Sequence, residues 1–108
     1  MKTYVFDIDG TVCSLTSTGD YTDCSPILHR IEKINKISES GDRVIFYTAR
    51  GMGRSSNNPE VAHEQFYLLT LDQLRRWGIN HNGLFMGKPS GDLYIDDKGI
   101  KDEDFFRD

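Results

Sequence analysis

With 108 residues the chain has room for one domain, residues 1–108, with a core of its own but no second domain. Its 37% hydrophobic and 28% charged composition is that of a globular protein, and no apolar run approaches the ~20 residues of a membrane helix. The net charge of −4 argues against a general nucleic-acid binder, whose electrostatic footprint is basic.

In chain order, "TYVFDI" (Thr3–Ile8) reads as a first strand. Its nearly continuous apolar run is the pattern of a parallel strand covered on both faces. A polar loop, Cys13–Cys24, follows. No basic-then-apolar leader precedes it, so its two cysteines are expected as free thiols in a cytoplasmic protein. Ser25 as N-cap and Pro26 as first residue then predict a helix, with Ile27, Leu28, Ile31, Ile34 and Ile37 at helical spacing and Gly41 as its stop. "RVIFYT" (Arg43–Thr48) is a second strand of the same buried type, followed by the loop "GMGRSSNN" (Gly51–Asn58).

After Pro59 a second helix is predicted from about Glu60 to Trp77, with Leu68, Leu71, Leu74 and Trp77 toward the core and Gly78 as terminator. "GLFMG" (Gly83–Gly87) and "DLYID" (Asp92–Asp96) read as third and fourth strands. The tail "KDEDFFRD" offers Phe105 and Phe106 for packing on the domain's own surface. Alternating strands and helices of this kind predict an α/β domain with a mainly parallel sheet. Ligands in such sheets bind outside the carboxyl ends of the strands.

That edge is where polar residues collect. Asp7 and Asp9 end the first strand, with Gly10 and Thr11 behind them. At ~4 Å and an effective dielectric of ~20, two anions repel by about 4 kcal/mol, so keeping both ionised calls for a cation. An ordinary Asp-Gly turn is the bland alternative. The fourth strand repeats the design with Asp96 and Asp97. Four carboxylates at one sheet edge, all oxygen donors, suit Mg²⁺ rather than a soft metal. The second strand ends instead in Thr48-Ala49-Arg50-Gly51, whose hydroxyl, backbone amides and guanidinium are donors for a phosphate. Lys88, between Gly87 and Pro89, follows the third strand and can neutralise both phosphate and aspartates.

These residues resemble the four ordered motifs of the haloacid dehalogenase superfamily, most of whose members are phosphatases. Asp7-Ile8-Asp9-Gly10-Thr11 stands for the first, Thr48 for the second, Lys88 for the third and Asp96-Asp97 for the fourth. The words "FDIDGTVC", "YTARGMGR", "GKP" and "YIDDK" are more narrowly similar to small capsule-biosynthesis phosphatases. The resemblance implies a Rossmann-like three-layer sandwich, the minimal core of the superfamily without a cap domain. It implies a Mg²⁺-dependent phosphomonoester hydrolase working through an aspartyl-phosphate, on a small sugar phosphate of surface-polysaccharide synthesis. Asp7 would be the nucleophile and Asp9 the acid–base. Thr48 and Lys88 would hold the phosphoryl group with Gly10, Thr11, Ala49 and Arg50. The metal would be held by Asp7, Asp9 and an acid of the last pair, Asp97 more directly than Asp96.

Without a cap the site is open to a small phosphorylated metabolite, to a larger substrate, or to cover by a second subunit. The alternatives are a nucleotide or polynucleotide 3′-end phosphatase, a phosphotransferase, and a non-catalytic module of the same fold. Arg50 and Arg54, in or beside the second loop, are candidate anion contacts for the rest of the substrate, with a solvated loop residue the favoured reading of Arg54, and no step of this chemistry requires His29, His63 or His81.

Overall fold

Alternate apolar residues of the first two strands decide how the sheet is built. In the computed structural model, which describes residues 1–107, Tyr4 of β1 (Thr3–Phe6) stands opposite Val44 of β2 (Arg43–Tyr47), and Phe6 opposite Phe46. β3 (Gly83–Phe85) pairs with the other edge of β2, also in parallel, giving the order β1-β2-β3. α1 (Leu28–Glu39) and α2 (Pro59–Arg76) are the two crossovers, and α3 (Asp102–Phe105) closes the described chain. Asp108, the last residue of the tail quoted above, lies outside the described residues.

The expected Rossmann-like α/β fold with a parallel central sheet is what the chain adopts. Phe6, Val44 and Phe46 are buried together with Ile31 and Ile34 of α1, Leu74 of α2, and Phe106. Both crossovers step the same way along the sheet, so right-handed connections bring both helices to one face. Val5 points to the other face and is 61% exposed, so the two-sided cover expected of β1 is not found there.

Helix starts differ from expectation for local reasons. Ser25 is held extended against the first loop: its carbonyl accepts from Ser14 N–H at 2.8 Å and its own N–H donates to Ser14 Oγ at 2.9 Å. α1 therefore begins at Leu28, with Ile27 as a cap that offers no side-chain bond, and Leu28 is exposed. α2 begins at Pro59 because Asn58 caps it, accepting from the N–H groups of Glu60 and Val61. On α2, Leu68 is 77% exposed, against expectation, while the polar Thr70 and Gln73 are buried.

The tail packs on the domain itself. Phe105 stacks edge-on with Phe6 at 5.6 Å between ring centres, and Asp102 pairs with Arg30 of α1 at 2.7 Å. The largest departure lies just before it. Residues 92–96 form no strand: Leu93 is 80% and Ile95 91% exposed. Tyr94 folds this segment back on itself, its hydroxyl donating to Pro89 O at 2.7 Å and accepting from Gly91 N–H at 3.1 Å. Between the segment and β1 lies a groove of about 1100 Å³. Among the described residues the sheet accordingly has three strands rather than four. Among the described residues no helix is long and apolar enough to cross a membrane.

Candidate active site

β1 stops at Phe6, and the chain turns at once. Gly10 makes the turn possible at a φ of +80°, a region that side chains with a Cβ rarely adopt. Its N–H donates to Cys13 O, and Thr11 N–H donates to Ile8 O. This tight hook holds Asp7 and Asp9 at the carboxyl end of β1. Both line a cavity of about 380 Å³, together with Ala49 from the end of β2, Lys88 from beyond β3, Tyr21 and Tyr94.

Lys88 Nζ lies 3.8 Å from Asp7 Oδ1 and 4.3 Å above the Tyr94 ring. Lys88 is fixed in turn by the sheet end, since its N–H donates to Thr48 O at 3.2 Å. Burial pushes the Asp7 carboxyl above its ordinary value; the Lys88 charge and hydrogen bonds from Ile8 N–H and the Thr11 hydroxyl oppose the shift. Asp7 is thus a partly buried carboxylate facing one cation.

Asp9 has a different environment. Arg50 Nε donates to its Oδ2 at 3.0 Å and Arg50 Nη2 to its Oδ1 at 2.9 Å. The thiols of Cys13 and Cys24 also donate to Oδ1, at 3.6 and 3.5 Å. Both cysteines are free thiols, as expected. Burial, reinforced by the Asp9 charge, drives the Cys13 thiol well above its ordinary value, so it stays protonated.

The candidate phosphate donors are not equally available. Lys88 and Ala49 face the cavity. The Gly10 and Thr11 amides are occupied by the hook. Thr48 is buried, and its hydroxyl accepts from Arg50 N–H at 3.1 Å. The Arg50 guanidinium, expected as a phosphate donor, is instead turned inward, 1% exposed, onto Asp9, Thr70 and Gln73. The half-buried Asp9 carboxylate claims it, because a buried guanidinium left unpaired would be costly.

The four-carboxylate metal set is not assembled. Asp96 accepts from Lys98 N–H and Gly99 N–H in its own exposed turn, and with Asp7 it shares only the wall of the broad groove. Asp97 is exposed on the same segment. Among the described residues the one group of three acid or thiol ligands within 4.8 Å is Asp9, Cys13 and Cys24. That group does not suit a cation, since the Arg50 guanidinium already lies on the same carboxylate. Asp7, an oxygen donor open to the cavity, does suit a hard cation such as Mg²⁺.

Several contacts of this region were not expected from the sequence. Tyr21 accepts from Gly51 N–H at 2.9 Å, and its ring lies 4.7 Å from the Arg50 guanidinium and 4.9 Å from that of Arg54. Arg54 is not merely solvated: it donates to Gly19 O at 2.8 Å and so ties the two loops together. A polar Gln three residues from a Thr on the inward face of α2 was the available clue to Thr70 and Gln73. No histidine lines the cavity among the described residues.

No family model matches the chain, and no curated protein matches it. Solved structures do. A structural-genomics target from Vibrio cholerae superposes with a TM-score of 0.90 at 24% identity, covering 99% of this chain and 89% of that one. A D,D-heptose 1,7-bisphosphate phosphatase from B. bronchiseptica, crystallised with magnesium and phosphate, superposes with a TM-score of 0.56 at 16% identity. The match covers 84% of this chain and 51% of that enzyme. The chain shares the small Rossmann-like α/β fold of these structures. At these identities the likeness establishes the fold.

Proposed function

We propose that the chain is a phosphomonoester hydrolase of the haloacid dehalogenase type. The observation that carries this reading is the convergence of Asp7, Asp9 and Lys88 on one cavity at the strand ends. Asp7 Oδ attacks phosphorus as the bond from phosphorus to the ester oxygen breaks, and Asp9 gives its proton to the departing alkoxide. Water then attacks the aspartyl-phosphate, Asp9 takes a proton from it, and inorganic phosphate leaves with Asp7 regenerated. Lys88 counters the charge of the transferring group, and the Ala49 backbone at the end of β2 borders its position.

Mg²⁺ belongs to this reading, in line with the magnesium of the heptose enzyme's crystals. The Asp7 carboxylate and the Asp9 main chain would hold it, with Asp96 or Asp97 joining only if their segment moves inward. It would supply neutralisation of the phosphoryl oxygens.

A cavity of about 380 Å³ with tyrosines at its wall suits a small sugar phosphate, which is the substrate class we assign, with surface-polysaccharide synthesis as the setting. The exposed Leu15 and Tyr94 at its rim leave room for the rival, a 3′-end phosphatase of nucleotides or polynucleotides, which the net negative charge disfavours. Phosphate release from a panel of hexose phosphates and 3′-phosphorylated oligonucleotides, with and without Mg²⁺, tests both. Magnesium-dependent release from a sugar phosphate is expected. Preference for the oligonucleotides selects the rival, and no release from any member removes the hydrolase reading.

A further inference from the structure

Arg50 has five N–H donors, and each one has a partner. Nε and Nη2 grip the two oxygens of Asp9, and Nη2 also reaches Cys13 Sγ at 4.0 Å. Nη1 donates to Thr70 Oγ1 at 3.2 Å and Gln73 Oε1 at 2.5 Å. Gln73 is itself fixed, because its Nε2 donates to Tyr21 O at 2.7 Å. The guanidinium is therefore held by α2 and by the first loop at once, and no donor remains for a ligand. Burial works against its charge, yet the Asp9 carboxylate outweighs it and holds the guanidinium above its ordinary value.

The partners of Asp9 are unequal at its two oxygens. Oδ1 accepts from Arg50 Nη2, Cys13 and Cys24, whereas Oδ2 accepts from Arg50 Nε alone. A carboxyl gripped at both oxygens keeps one orientation at the wall of the cavity.

We propose that Arg50 is a positioning residue for Asp9, gripping both oxygens so that its carboxyl is held in the orientation from which it serves first the leaving group and then the attacking water. This rests on the hydrolase reading above. In that reaction Asp9 gives a proton to the ester oxygen as its bond to phosphorus breaks, and takes one back when water attacks the aspartyl-phosphate. Arg50 itself touches neither phosphorus nor the leaving group.

Leaving-group chemistry separates positioning from mere support of the fold. An alkoxide needs the Asp9 proton to depart, whereas a nitrophenolate departs without it. The experiment compares kcat/KM for an alkyl phosphate and for p-nitrophenyl phosphate in the wild type, Arg50→Lys and Gln73→Met, and repeats Arg50→Lys in an Asp9→Asn background. Lysine keeps the charge and loses the two-point grip. The alkyl phosphate is expected to slow by about 10- to 100-fold in Arg50→Lys, within the range of a general acid, and the aryl phosphate by under about threefold. In Asp9→Asn the same change is expected to cost under about twofold, because both act on one step.

Equal loss on both substrates, no loss on either, or a full Arg50→Lys effect without Asp9 would overturn the proposal. If Arg50→Lys does not fold, Gln73→Met is read by the same criterion, with a smaller selective loss expected. A wild type inactive on both substrates, and on the wider panel, would instead remove the hydrolase reading and this inference with it.

Discussion

Two stretches of the chain share one design, an apolar run followed by two aspartates, and they end in different structures. The first, around Asp7 and Asp9, becomes β1 and a closed hook: its backbone pairs with β2, and Gly10 N–H closes the turn onto Cys13. The second, around Asp96 and Asp97, stays on the surface, with its apolar residues in solvent and its backbone paired with no strand. A strand needs a partner edge and a covered face as well as the right residues. β1 has both through β2 and the helices; the second stretch is drawn into its own Tyr94 turn instead. One pair of acids thereby lines the cavity, and the other lies exposed on its own turn.

Substitutions can break or sharpen that contrast. The largest effect is expected at the first pair. Asp7→Asn should lower phosphate release by at least about 10³-fold, the scale of losing a nucleophile, whereas Asp97→Asn should lower it far less. Equal losses would put both pairs in one site. Next comes the packing beneath β1. Phe106→Ala, which empties a buried place against Phe6, should cost about 3–5 kcal/mol in chemical denaturation.

Gly51→Ala tests the loop over the site. A Cβ there would come within 2.5 Å of the Phe66 ring at a φ of +77°, so a loss of about 1–3 kcal/mol is expected, with a lower Tm as the readout. Asp102→Asn should cost about 1 kcal/mol or less at pH 7. The Arg30 hydrogen bond holds the Asp102 carboxyl below its ordinary 3.8. The stabilisation is thus complete above that value and fades as pH falls through the lower folded-state value. The gap between variant and wild type should close in acid. The smallest effect belongs to the second stretch: Ile95→Ala, in solvent already, should stay within about 0.5 kcal/mol of the wild type. A larger loss would mean that Ile95 packs in solution.

Much of the positioning around the first pair was legible in the sequence. Strand-helix-strand order fixed the parallel sheet, and the strand ends gave Asp7, Asp9 and Lys88 a common edge. What escaped was long-range. Ser25 has every mark of a helix cap, but its backbone is claimed by Ser14. Arg50 has the look of an anion donor, but a carboxylate 41 residues away in sequence takes its guanidinium. Thr70 and Gln73 look like surface polar residues until Arg50 is seen to need acceptors. The fourth strand failed for the same kind of reason, since its pattern says nothing about whether β1 will pair with it.

The most direct test of the central claim is to quench the protein in acid during incubation with a phosphomonoester and map any covalently bound phosphoryl group by peptide mass. The account predicts a phosphoryl group on Asp7 in the wild type and none in Asp7→Asn. Turnover with no phosphoryl group on Asp7, or with one on another residue, would contradict it.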